Sequence, residues 1–297
     1  METEIWPSLP LDGWKDTYAT LHMWSQVVGK FALRYTSYVN HWWNVAFHVT
    51  SRGLRSGPIP YRGSSFDFEF DFIDHLLTVR KSDGGRRDVP LIPRSVADFY
   101  QELSGVMSSL GLPTEIDREP KEVPNPIPFD QDRVHASYDR DAANRHWRIL
   151  VQVDRVLKKF RGEFIGKCSP VHFFWGSFDL CVTRFSGRTA PPRPEADHIT
   201  QLAYSHEVSS CGFWPGSGNI LEPAFYSYTA PEPAGFSRSG IAPDSAFYNS
   251  GTKGFILRYE DVRRSSDPDA MLLKFCRTTY DAAARFGGWD AHEVRAA

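Results

Sequence analysis

His41-Trp-Trp-Asn-Val-Ala-Phe-His48 aligns without a gap with His172-Phe-Phe-Trp-Gly-Ser-Phe-Asp179. In each stretch a histidine precedes two large aromatic residues, and a phenylalanine precedes a polar group that can bond or ionise. Aromatic residues at this density predict strands. The match indicates that the chain is internally doubled. The match does not identify a reaction or a substrate.

The segments around these two stretches support the doubling. Apolar residues at steps of three or four predict a long helix before each stretch, starting at Trp14 and near Asp139. Residues 66–72 alternate strictly between phenylalanine and an acidic residue, which predicts a strand with one apolar and one acidic face. Helices starting at Ser95 and Asp267 would close the two halves.

We therefore expect an α+β fold of two tandem halves, each consisting of a helix, an antiparallel sheet and a helix, related by a pseudo-twofold duplication. The first half would span residues 1–111 and the second residues 138–297. Five prolines between them predict an irregular crossing linker over residues 112–137.

The composition excludes several classes of function. The 297 residues carry a net charge of −2, which lacks the positive field that nucleic acid requires. No apolar run approaches the roughly 18 residues that span a bilayer. The four cysteines are widely spaced, and no secretion signal is evident. We expect a cytoplasmic protein with reduced thiols, no nucleic-acid partner and no membrane partner, and the sequence indicates no oligomeric state.

Histidines beside aromatic residues are the main candidates for chemistry. Simple alternation places His172 and Asp179 on opposite faces of a strand unless Gly176 forms a bulge that brings them together. In Tyr204-Ser-His-Glu207, adjacent residues face opposite sides, so one of the last two faces inward. The candidate catalytic residues are His41, His172, Asp179, His206 and Glu207.

Other side chains are candidates for holding a ligand or an ion. A partly buried lysine becomes reactive when its pKa shifts, tryptophan and tyrosine stack on flat molecules, and arginine binds anions. The candidate ligand-binding residues are Lys167, Trp175, Arg184, Tyr204 and Trp214. A divalent metal would need ligands from separate elements. The candidate metal ligands are His22, His41, His172, His206 and Glu207.

Several stretches together resemble a bacterial family of unknown function, DUF5996, over nearly the whole chain. They are Trp6-Pro7, Asn40-His-Trp-Trp43, Asp71-Phe-Ile-Asp-His75, Phe160-Arg-Gly162, Gly166-Lys-Cys-Ser-Pro-Val-His-Phe-Phe-Trp-Gly-Ser-Phe-Asp179, Tyr204-Ser-His-Glu207 and Gly212-Phe-Trp-Pro-Gly216. The resemblance implies no activity, cofactor or catalytic residue. Asn44 stands where a histidine is expected from the family, which weakens a metal site that would use it.

Two functions agree with these patterns. The first is a cytosolic enzyme that acts on a small apolar or aromatic molecule in a cleft between the halves, because clefts between domains favour ligands. The second is a non-catalytic small-molecule-binding or scaffold protein whose histidines serve only to satisfy polar contacts.

Overall fold

A computed structural model describes residues 4–289 of the protein. This part contains six α-helices: α1 (Lys15–Tyr35), α2 (Val96–Ser109), α3 (Arg140–Gly162), α4 (His198–Ala203), α5 (Tyr259–Arg263) and α6 (Pro268–Gly287). It also contains twelve strands: β1 (Phe47–Val49), β2 (Gly53–Ser56), β3 (Ile59–Tyr61), β4 (Ser64–Asp71), β5 (Leu76–Lys81), β6 (Arg86–Pro90), β7 (His172–Phe174), β8 (Asp179–Thr189), β9 (His206–Trp214), β10 (Ala224–Ala230), β11 (Phe247–Asn249) and β12 (Gly254–Arg258). The predicted α+β class is confirmed.

The strands of both halves join one antiparallel sheet. Its order is β11-β12-β10-β9-β8-β7-β1-β2-β4-β5-β6, and β3 pairs with β4. The halves meet where β1 pairs with β7, with Phe47 opposite Phe173. Each half therefore contributes its first strand to the centre of the sheet. The sheet is continuous rather than divided into one sheet per half.

A row of large apolar side chains crosses six neighbouring strands on one face of the sheet. Directly paired residues form this row: Leu257, Phe225, Phe213, Leu180, Phe173 and Phe47. Helices cover the same face, as the ring contact between His146 of α3 and Phe213 shows. Burial of these side chains removes a large apolar area from water, and this stabilises the fold.

The alternating residues 66–72 behave as predicted. Phe66, Phe68 and Phe70 are buried in the core of the protein. The acidic residues between them point to the opposite face of β4, where Asp67 binds Arg55 and Glu69 binds Arg80. The acidic face of this half is therefore neutralised by arginines of the adjoining strands.

Helix ends agree with the residues expected to cap them. The side chains of Ser95, Asp139 and Asp267 accept hydrogen bonds from the first-turn amides of α2, α3 and α6. Gly288 ends α6 in the left-handed conformation, which glycine adopts without a steric penalty. These local signals mark the helix starts, and distant residues add to them at α2, where the amides of Val96 and Ala97 donate to the carbonyls of His135 and Asp132.

The two aligned octapeptides adopt different structures. His41 lies in a 3-10 helix, Asn40–Trp42, and has a positive φ of 58°, whereas His172 starts β7. The prediction of a strand from residue 41 is therefore wrong, and only Phe47–Val49 is extended. Both halves begin and end with a long helix, but in the second half α4 separates β8 from β9 and α5 precedes the last helix. The duplication stays a prediction.

The linker over residues 112–137 is irregular and contains no helix or strand. Proline rings remove amide donors and fix φ, which disfavours regular structure. The linker is nevertheless anchored, since Phe129 is fully buried and Glu122 forms an ion pair with Lys30 of α1 at 3.2 Å. Glu122 also lies next to Gly176 of the second half.

His146 is a buried histidine that stays neutral. Its ring lies 4.9 Å from the Trp14 ring and 5.3 Å from the Phe178 ring. Burial lowers its pKa from 6.5 to about 3. The unfolded chain therefore binds a proton near pH 6.5 that the folded protein does not bind. Stability is complete above that pH and falls as the pH drops toward 3.

We expect His146→Leu to reduce the pH dependence of stability. In the wild type this residue should lower the free energy of unfolding by about 2 kcal/mol between pH 7 and pH 5. Urea denaturation at the two pH values measures the difference. His198→Gln, at an exposed histidine, is the control and should leave the pH dependence unchanged. An equal pH dependence in the wild type and His146→Leu would contradict the assignment.

Candidate functional site

A cavity of about 410 Å³ lies on the sheet face opposite α3 and α6. Residues of both halves line it. The rings in its wall are Trp42, Trp43, Phe174, Trp175, Phe185, Tyr204, Tyr226 and Tyr228. The cavity is large enough for a small organic molecule, and its wall is mainly apolar, as ligand pockets usually are.

Strand alternation builds the floor of the cavity. Asp179, Cys181, Thr183 and Phe185 share one face of β8 because each is two residues from the next. Tyr226 and Tyr228 likewise point from β10 to the same face, and their rings stack with centroids 6.0 Å apart. All six side chains contribute to the cavity wall.

Gly212 of β9 makes room between these strands. It is the direct partner of Cys181 on β8 and of Tyr226 on β10. A Cβ at this position would lie 2.5 Å from the Tyr226 hydroxyl. The Tyr226 side chain therefore extends across Gly212 of β9, and its hydroxyl donates a hydrogen bond to Oδ2 of Asp179 on β8.

The 3-10 helix Asn40–Trp42 and α4 close one side of the cavity. The indole nitrogen of Trp42 donates a hydrogen bond to the carbonyl of Ile199 at 3.0 Å. Nδ1 of His41 lies 3.0 Å from the carbonyl oxygen of Ala203. A carbonyl oxygen only accepts, so Nδ1 carries the hydrogen and Nε2 of His41 is an acceptor.

Lys167 contacts this acceptor. Its Nζ lies 2.7 Å from Nε2 of His41 and 4.7 Å from the centroid of the Phe185 ring. Burial, and then the charge of Lys167, lower the pKa of His41 to about 4, so the imidazole is neutral at pH 7. Burial also lowers the pKa of Lys167. No carboxylate within residues 4–289 forms an ion pair with this amine.

Asp179 is the buried acid of the cavity. It is 7% exposed, and its two oxygens accept hydrogen bonds from the hydroxyls of Ser177 and Tyr226. Burial raises its pKa, and the two hydroxyls oppose this rise. The carboxyl is thus stabilised by neutral partners alone.

His172 and Asp179 lie on the same face, contrary to simple alternation. The chain turns between β7 and β8, so His172 pairs with Cys181 and Phe174 pairs with Asp179. The turn ends at Phe178, which has a positive φ of 55°. His172 remains outside the cavity wall. Its ring is 5.1 Å from that of His48, and burial lowers its pKa to about 3.

His206 and Glu207 point to opposite faces, as alternation predicts. His206 is on the cavity face, with its ring 5.6 Å from that of His41. Glu207 instead binds Arg188, which also donates to carbonyl groups at the end of α6. The carboxylate is therefore separated from the histidines by the sheet.

Three more candidates lie away from the cavity. Arg184 is on the helix-covered face, with its guanidinium carbon 3.5 Å from the Phe160 ring centroid. His22 of α1 contacts the carbonyl of Gly176 at 3.0 Å. Trp214 lines a smaller adjoining hollow of about 320 Å³, which shares Asp179 with the main cavity.

The candidate metal ligands do not come together. His41 and His206 are neighbours, but His22, His172 and Glu207 lie elsewhere. In the described part of the chain, no group of three or more histidine, cysteine, aspartate or glutamate side chains could hold a metal ion.

Sequence reasoning missed part of the cavity wall. Trp43, Ser177, Tyr226 and Tyr228 were not candidates, although all four line the cavity. The alternation of Phe225-Tyr-Ser-Tyr228 could have placed both tyrosines on one face. No local signal could have shown that this face meets Trp43, which comes from the other half.

The comparisons with known proteins identify a family that covers nearly the whole chain. Residues 6–296 match DUF5996, which is described as a family of unknown function. The chain belongs to this family. No curated protein and no solved structure matches it. No helix within residues 4–289 is long and apolar enough to cross a membrane. Membership of DUF5996 assigns no activity, so the function is inferred from the chemistry of the cavity.

The position of Trp175 in the cavity depends on Gly29 of α1. Its indole nitrogen donates to the carbonyl of Val45 at 2.9 Å, and the ring packs directly against the glycine. A Cβ on Gly29 would overlap the indole. Glycine is needed here for close approach rather than for an unusual backbone angle.

We expect Gly29→Ala to destabilise the protein by about 1 to 3 kcal/mol, because overpacking displaces the indole. Gly105→Ala in α2 is the matched control. No atom lies within 4 Å of its added Cβ, so this change should stabilise the helix by about 0.5 to 1 kcal/mol. Urea denaturation followed by circular dichroism measures both. Equal stability changes in the two variants would contradict this account of Trp175.

Proposed function

We propose that this chain is an enzyme that acts on a small apolar or aromatic molecule bound in the ring-lined cavity, with Lys167 and His41 transferring a proton. The observation that carries the proposal is the 2.7 Å contact between Nζ of Lys167 and Nε2 of His41. His41 lines the cavity, and Lys167 lies just outside its wall. The lysine donates this hydrogen bond to Nε2 of His41, so the neutral imidazole positions the amine that would transfer the proton.

The surroundings of the pair support acid–base chemistry. A general base works best when its neutral form is available near neutral pH, and burial lowers the pKa values of both groups. Lys167 lies beside Phe185 rather than beside a carboxylate, so no anion holds the lysine in its charged form. Perturbed titratable groups in a cleft are typical of active sites.

The cavity supports a substrate with an apolar or aromatic body. Its wall contains tryptophan, tyrosine and phenylalanine rings, which bind flat molecules by stacking and by burial of apolar surface. A cytoplasmic location is part of the proposal. It is supported by four free cysteines, Cys168, Cys181, Cys211 and Cys276, which are typical of a reducing compartment.

One observation favours the second candidate, a non-catalytic small-molecule-binding protein. Both ring nitrogens of His41 already have partners within the protein, Ala203 and Lys167. A histidine held in this way can serve to shape the wall of a binding pocket. The two functions differ in whether a bound molecule is converted.

We expect Lys167 to react with trinitrobenzenesulfonate at lower pH than an exposed lysine. The reagent labels only neutral amines, and because the pKa of Lys167 is lowered, its neutral form is available at lower pH. Peptide mass spectrometry of labelled protein over a pH series measures both rates, with exposed Lys274 of α6 as the internal control. Lys167 labelling at the same pH as Lys274 would contradict its proposed role.

Turnover is tested with a panel of small aromatic carbonyl compounds, esters and amines, with products followed by mass spectrometry. For a converted compound, Lys167→Met and His41→Gln should each reduce the rate by at least about 100-fold. Lys274→Met, at an exposed lysine of α6 on the opposite face of the sheet, should not change it. Compounds that bind without conversion would favour the non-catalytic alternative. Conversion that is unaffected by both variants would refute the assignment of the pair.

A further inference from the structure

Asp179 lacks a cationic partner although it is buried. Its oxygens accept hydrogen bonds from Ser177 and Tyr226, and within residues 4–289 it forms no ion pair. A carboxylate removed from water without a compensating positive charge is costly. By contrast, the acidic residues on β4 have arginine partners.

The ionisable groups around Asp179 do not supply this charge. Burial raises the pKa of each of them, so all are neutral at pH 7. They are Tyr18 of α1, Cys181 of β8, Tyr204, and Tyr226 and Tyr228 of β10. Glu122 also lines the cavity, and Lys30 of α1 is its ion-pair partner. An incoming cation could therefore supply the charge that Asp179 lacks.

Aromatic residues lie around the carboxyl. Phe174 is its direct partner across β7 and β8, and Tyr226 stacks on Tyr228. The Trp214 ring lies 5.4 Å from that of Tyr226, on the adjoining hollow. Aromatic faces attract cations, and the attraction is strongest when the cation is desolvated.

A cationic group lies outside the wall at the other end of the cavity, next to His41 and Phe185. Lys167 lies over Phe185, which is six residues from Asp179 on the same strand. At about 3.3 Å per residue, the two positions are roughly 20 Å apart along β8. A cation at Asp179 is thus well separated from the lysine.

We propose that Asp179, with Ser177, Tyr226 and the surrounding rings, binds the protonated amino group of a small molecule with an aromatic or apolar body. This inference rests on the proposed function, because it uses the same cavity. It adds the substrate class, an aromatic or apolar amine. The ammonium group would donate to the carboxylate and contact the ring faces, while the body of the molecule extends along the cavity toward Lys167 and His41.

Three probes of one shape test the proposal: phenethylamine, phenethyl alcohol and hydrocinnamate, which are cationic, neutral and anionic at pH 7. Isothermal titration calorimetry measures their affinities. Phenethylamine should bind at least about tenfold more tightly than the alcohol, and hydrocinnamate should not bind better than the alcohol at this end. In Asp179→Asn, which keeps the shape of the side chain, the preference for the amine should disappear.

Glu207→Gln is the matched control, because it removes a carboxylate on the opposite face of the same sheet. It should leave all three affinities unchanged. The wild type gives a second measurement that does not need a folded variant. Affinity for phenethylamine should fall as acidification protonates Asp179, whereas affinity for the alcohol should not.

The outcomes separate this inference from the proposed function. Equal binding of the amine and the alcohol, with both still bound in the cavity, overturns the assignment of Asp179 and leaves the cavity as a ligand site. An amine preference that persists in Asp179→Asn also overturns it. Absence of binding by all three compounds at millimolar concentration overturns both proposals. Loss of the preference in Asp179→Asn alone supports the inference, whatever the result of the lysine labelling.

Discussion

The pairing of β1 with β7, where Phe47 faces Phe173, is the strand contact that connects the two halves. It joins the strands of both halves into one sheet and continues a row of apolar side chains across six strands. Helices cover that face, because exposed rings would be costly in water. The other face is left for polar and aromatic side chains, and the cavity forms there.

Charged side chains on the two parts of this polar face differ in whether they have ion-pair partners. On β4, acidic residues are neutralised by arginines such as Arg55 and Arg80. In the second half, Asp179 lies in the wall of a ring-lined cavity, Lys167 lies outside that wall beside His41 and Phe185, and neither has an ion-pair partner within residues 4–289. A buried acid left without opposite charge in a cavity is more typical of binding and catalysis than of stabilisation. The proposals for an acid–base pair and an amine site both follow from this difference.

Much of the fold could be predicted because its signals are local. Ser95, Asp139 and Asp267 cap helices as expected, and the alternation in residues 66–72 gives a strand with the expected faces. The candidate site could be predicted only in part. His41 and Asp179 do line the cavity, but Glu207 and Arg184 point to the other face. The positions of the strand boundaries determine the face to which each side chain points. The turn between β7 and β8 places His172 and Asp179 on the same face, whereas simple alternation would place them on opposite faces.

Short-range patterns in the sequence were enough to predict the four long helices, the alternating strand over residues 66–72 and the irregular linker, and similarity along the chain was enough to predict the family. The short helices α4 and α5 were not predicted. Which of ten histidines lies beside a lysine, and which acid lies among rings, depends on the three-dimensional packing. Lys167 and His41 are 126 residues apart, and Asp179 and Tyr226 are 47 apart. Their contacts arise from strand register and from packing between the halves, which no local pattern encodes.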